Sequence, residues 1–74
     1  MTLDARGLRC PWPALRLARV LRDGAATVTL LADDPNAEAE CRAVAEARGG
    51  RLRVVAPGRY VIEIGPIINA LFTP

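Results

Sequence analysis

One stretch of the sequence carries residues whose types and order suit sulfur chemistry: Leu3-Asp4-Ala5-Arg6-Gly7-Leu8-Arg9-Cys10-Pro11-Trp12-Pro13. Cys10 stands between an arginine and two spaced prolines. The run that follows, Ala14 to Asp23, has apolar residues at helical spacing. The cysteine is therefore expected at the N-cap of a helix, with Pro11 at the first helical position. Proline suits that place because its missing N–H would have no partner within the helix. Pro13 stays within the first turn and stiffens it with a second fixed φ. The N–H groups of Trp12 and Ala14 are then free to point toward a thiolate. A helix N-terminus favours an anion by about 0.3–1 kcal/mol, and Arg9, with Arg6, would add to that. The expectation is a moderately activated thiol, its pKa lowered from the ordinary value. The chain has no histidine, so no imidazolium pushes the thiol further and no Cys-His pair exists for protease-type chemistry.

Leu3-Asp4-x-x-Gly7-Leu8-x-Cys10-Pro11-x-Pro13, with Ala32-Asp33-Asp34-Pro35 further on, resembles the TusA/SirA-like family of small sulfur carriers. The resemblance spans about residues 2–64. It implies that Cys10 is the carrier cysteine. Sulfane sulfur would arrive there as a persulfide from a cysteine desulfurase or another sulfurtransferase. It would then be relayed to a downstream acceptor protein, in tRNA thiolation or a related trafficking pathway. Between the prolines, where the family usually has Glu, this chain has Trp12. The resemblance implies a carrier that works with separate enzymes and needs no cofactor.

The elements that must position Cys10 follow from periodicity. Thr2 to Ala5 reads as a first strand. Along the first helix Ala14, Leu17, Ala18 and Leu21 form the core stripe at i, i+3, i+4, i+7. At about 100° per residue, Trp12 and Leu15 fall outside that stripe, among Arg16, Arg19 and Arg22. Trp12, Leu15, Arg16 and Arg19 are thus expected on the surface beside Cys10, as a docking face for protein partners. The plainer alternative is a surface tryptophan stacked on Arg16. Ala26 to Ala32, rich in β-branched residues, is a second strand. Strand, helix, strand at this spacing predicts a right-handed crossover with parallel strands. Both helices then start at one sheet edge, which brings Asp33 and Asp34 toward Cys10. Asp34 reads as the N-cap of a second helix, about Pro35 to Arg48. Asp33 has no such duty and is a candidate to take the thiol proton or position a partner; capping and turning the chain is the alternative for both. Ala37, Cys41, Val44 and Ala45 form the second helix's apolar stripe, so Cys41 is expected buried as a small hydrophobe. Arg51 to Ala56 and Arg59 to Ile64 form a hairpin around Pro57-Gly58. The predicted architecture is a two-layer α/β sandwich, βαβαββ, with a four-stranded mixed sheet and two helices on one face. Leu52, Val54, Tyr60, Ile62 and Ile64 would face the helices, and Arg51, Arg53 and Arg59 would face water.

Composition bounds the rest. The 74 residues allow one domain, 1–74, with 65–74 as an apolar C-terminal extension holding Ile67, Ile68, Leu71 and Phe72. A net charge of +2, all of its basic side arginine, is too weak to argue for nucleic acid. Two cysteines make neither a disulfide framework nor, without histidine, a zinc site. The opening residues carry no signal-peptide pattern and no apolar run reaches a membrane span, so a reducing cytoplasm is expected. Two other functions stay open. A thiol redox or regulatory module would need a resolving cysteine, which Cys-Pro-Trp-Pro lacks. A nucleic-acid module using the arginines would bind in a salt-sensitive way that survives loss of Cys10.

Overall fold

The computed structural model describes residues 1–64. The apolar segment 65–74 lies outside the described residues. The elements run β1 (Thr2–Asp4), α1 (Trp12–Arg22), β2 (Thr27–Leu31), α2 (Ala37–Ala47), β3 (Arg51–Ala56) and β4 (Arg59–Glu63). They form one four-stranded sheet in the order β1-β2-β4-β3. β1 pairs parallel with β2, and the other pairings are antiparallel. This is the βαβαββ α/β fold that the periodicity predicts.

The register explains which side chains meet. Leu52 stands across from Ile62, and Ile62 across from Val28; Leu3 stands across from Leu30, and Leu30 across from Tyr60. Alternation puts these residues on one face of the pleat. Val28, Leu30, Leu52, Tyr60 and Ile62 are buried there with Ala14, Leu17 and Leu21 of α1 and Ala37, Cys41 and Ala45 of α2. Both helices therefore cover the same face. Val54, expected on that face, is exposed instead. A bulge between Val54 and Ala56 shifts the β3–β4 register, and a bulge turns the end of an edge strand away from its neighbours.

Both helices begin later than the sequence pattern suggests. Trp12 is the first helical residue and Pro11 the N-cap. The Trp12 N–H donates to the Arg9 carbonyl at 2.8 Å, closing a turn, and the Pro11 carbonyl then accepts the Leu15 N–H at 3.0 Å. Cys10 thus sits one residue before the cap, in that turn, and the Trp12 N–H is not available to it. In the same way α2 is capped by Asn36 rather than Asp34. Asp34 closes the preceding turn: its carboxylate accepts the Asn36 N–H, and its carbonyl the Ala37 N–H, both at 3.0 Å.

Gly58, at φ +71°, turns the β3–β4 hairpin, and its carbonyl accepts the Ala32 N–H at 3.0 Å. A Cβ there would come within 2.9 Å of the Ala32 carbonyl oxygen. The hairpin can reach the end of β2 only because this residue is glycine.

Candidate functional site

The parallel pairing of β1 and β2 sends both following loops off the same sheet edge. The β1–α1 loop carries Arg6, Gly7, Arg9 and Cys10, and the β2–α2 loop carries Asp33, Asp34 and Pro35. A hydrogen bond ties the two: the Gly7 N–H donates to Asp33 Oδ1 at 3.0 Å. Gly7 takes φ +83°, which an L side chain resists, so the turn that aims this N–H at Asp33 requires glycine. An open groove of about 380 Å³ lies between the loops, lined by Gly7, Leu8, Arg9, Asp33, Asp34 and Pro35.

Cys10, next in the chain after the groove-lining Arg9, is a half-buried free thiol. Its Sγ donates a hydrogen bond to Glu40 Oε2 at 2.7 Å. Glu40 belongs to α2, thirty positions along the chain, and sequence reasoning did not single it out. A signal for it exists: Glu40 is three residues after Ala37 and four before Val44, so it borders the buried stripe instead of standing opposite it.

The electrostatics reverse the expected activation of the thiol. The Cys10 pKa is pushed up from an ordinary 9.0 to about 11. The leading cause is the hydrogen bond to Glu40, which is made only by the protonated sulfur. Partial burial follows, then the negative charges of Glu40 and Asp34. Arg6 does not offset this. Its guanidinium is closed on Asp4 by hydrogen bonds of 2.9 and 2.8 Å, which also bring the Asp4 pKa down to about 2. In the resting protein Cys10 is a neutral thiol held by a carboxylate.

The structure divides the other residues singled out from sequence into two groups. Arg9, Pro11, Trp12, Leu15, Arg16 and Arg19 are exposed. Trp12 is 58% and Leu15 51% accessible, so two large apolar side chains lie open on the helix that Cys10 leads into. Arg16 and Arg19 line a second groove with Leu3 and Val20. Pro13, by contrast, is fully buried and packs the first turn of α1 into the core. Asp33 is engaged with Gly7, and Asp34 with the turn before α2. Cys41 is fully buried and is a free thiol, as Cys10 is. Among the described residues, no group of His, Cys, Asp and Glu gathers at metal-ligand spacing. No helix among them is long and apolar enough to cross a membrane.

A two-layer α/β domain with one half-buried thiol just before its first helix and a second sealed in the core defines a small thiol-bearing α/β protein. Sulfurtransferase TusA is the family that matches, over residues 1–65, and the chain belongs to it. Membership gives a sulfur-carrier role, exercised in sulfur relay with other proteins.

Proposed function

We propose that Cys10 is the residue that carries the sulfur, as a persulfide. It takes a sulfane sulfur from a cysteine desulfurase or another sulfurtransferase, in the cytoplasm. It hands that atom to an acceptor protein in a pathway such as tRNA thiolation. The observation that carries this reading is accessibility: of the two cysteines, Cys10 is only half-buried, in the β1–α1 loop, while Cys41 is sealed in the core. The chemistry is thiol–persulfide exchange. The Cys10 sulfur attacks the terminal sulfur of the donor persulfide, the donor's S–S bond breaks, and the donor leaves as a thiol. Neither partner is oxidised overall, because a sulfur atom simply changes owner.

The exposed residues of α1 support the delivery half of the proposal. Trp12, Leu15, Arg16 and Arg19 offer an apolar patch with cationic margins, and Trp and Arg are residue types enriched in interface hot spots. Arg9, with Asp33, Asp34 and the prolines, shapes the approach to the sulfur. The burial of Cys41 speaks against the redox alternative, since a sealed thiol cannot resolve a disulfide at Cys10.

Intact-mass spectrometry after incubation with a cysteine desulfurase and cysteine, without reductant, tests the proposal. A gain of one sulfur atom is expected, reversed by reductant. Cys10→Ser should abolish it with the fold intact, and Cys41→Ala should not. Loading that persists in Cys10→Ser would overturn the assignment.

A further inference from the structure

Within the carrier reading, one contact has the geometry of a control element. We propose that Glu40 is a lock on the carrier cysteine: its carboxylate holds the sulfur's proton while the site is empty and loses that hold once a second sulfur is attached.

The argument begins with reach. The Cys10 Sγ and Glu40 Oε2 atoms are 2.7 Å apart, in direct hydrogen-bond contact. Glu40 stands on α2, a helix packed against α1 and anchored elsewhere. Arg42, two residues on, donates at once to Glu38 at 2.9 Å and to the Leu52 carbonyl at 3.1 Å. The carboxylate is therefore presented from a fixed element and not from a loop. The other charged group acting on the sulfur is Asp34, from the β2–α2 loop; Arg9, its neighbour in the chain, is exposed. The first turn of α1 brings no acid, and the Asp4–Arg6 pair in β1 and its loop is closed on itself. Two carboxylates, Glu40 and Asp34, oppose ionisation of the thiol in the empty site.

Loading changes the contact. The reactive atom becomes the outer sulfur, displaced by one S–S bond of about 2.05 Å. The inner sulfur no longer has a proton to give, so the hydrogen bond to Glu40 is lost. The outer sulfur then ionises without that hydrogen bond to oppose it. The empty carrier is thus quiet toward stray oxidants and electrophiles, and the loaded carrier is reactive. With a hydropolysulfide as donor the balance is simple. One sulfur atom inserts between Cys10 Sγ and its hydrogen, and the shortened hydropolysulfide leaves with the negative charge it brought.

Glu40→Gln keeps the shape and removes the charge. The test follows the rate of Cys10 alkylation by iodoacetamide, a neutral reagent, against pH, in the Cys41→Ala background with folding checked by circular dichroism. The midpoint should fall from about 11 toward 9. At pH 7.5 the thiolate fraction then rises about 100-fold, its nucleophilicity drops about tenfold, and alkylation is about tenfold faster. An unchanged midpoint would overturn the lock. A second arm loads both proteins with inorganic polysulfide and alkylates the persulfide. Here the two rates should agree within about twofold, and an equal tenfold gain for the persulfide would overturn the release on loading. If neither protein gains sulfur, the carrier reading falls, and the thiol arm still reports on Glu40.

Discussion

At the scale of single residues, the site rests on carboxylates doing different work. Glu40 holds the thiol proton, Asp34 shapes the turn before α2, and Asp33 ties that turn to the loop holding Cys10. The last role makes a specific prediction. Asp33→Ala removes the acceptor of the Gly7 N–H. A hydrogen bond to a charged group contributes about 1.5–3 kcal/mol, and exposure of this one places it at or below the lower end. A loss of about 1 kcal/mol lowers the melting temperature of a domain this size by about 4–8 °C. Asp33→Asn keeps an oxygen acceptor and should recover most of that loss in thermal melts. The sequence made the exposure of Trp12 and Leu15 legible, because it follows from helical spacing and from their place outside the apolar stripe. It also showed Cys41 as a core residue. It did not show the state of the Cys10 thiol. That state depends on a carboxylate thirty positions away, and local spacing reports only neighbours within a helical turn or so.

At the scale of elements, α1 carries two functions on two faces. Leu17 and Leu21 bind it to the sheet, while Trp12, Leu15, Arg16 and Arg19 look outward. Truncating a hot-spot tryptophan costs about 2 kcal/mol of binding, roughly 30-fold. Trp12→Ala and Arg16→Glu should therefore slow sulfur transfer to and from protein partners by about that factor in kcat/KM. Melting temperature and iodoacetamide reactivity should stay as in the parent, since neither side chain packs in the core. Normal transfer in both variants would remove the docking role. Strand and helix identity, the parallel β1–β2 pairing and the meeting of the two loops were all readable from periodicity and crossover handedness. The helix starts were not. Prolines mark a first turn without saying which residue of it begins the ladder, and here the Arg9–Trp12 and Asp34–Ala37 turns take up the positions before each helix.

At the scale of the whole molecule, three groups give stability a common dependence on pH. Cys10 and Cys41 are both pushed up to about 11, Cys10 mainly by Glu40 and Cys41 mainly by burial. Tyr60 is raised as well, by burial first. A group whose folded pKa exceeds its unfolded value stabilises the fold fully below the unfolded value, and that contribution is lost as pH rises through the folded one. For the thiols the window runs from 9.0 to about 11. Urea denaturation midpoints should hold level up to pH 9 and then fall, and Cys10→Ser should make the fall shallower. Within residues 1–64 the layer architecture was fully legible, and only the outer end of β3 departs from it. There the bulge between Val54 and Ala56 exposes two valines on an edge strand. The same strand begins with Arg51 and Arg53, which share Glu63 as a partner. A second molecule that tried to lengthen the sheet along this edge would meet arginine against arginine, then a backbone out of step. Like charges and a bulge on an edge strand are features that disfavour extension of the sheet along that border.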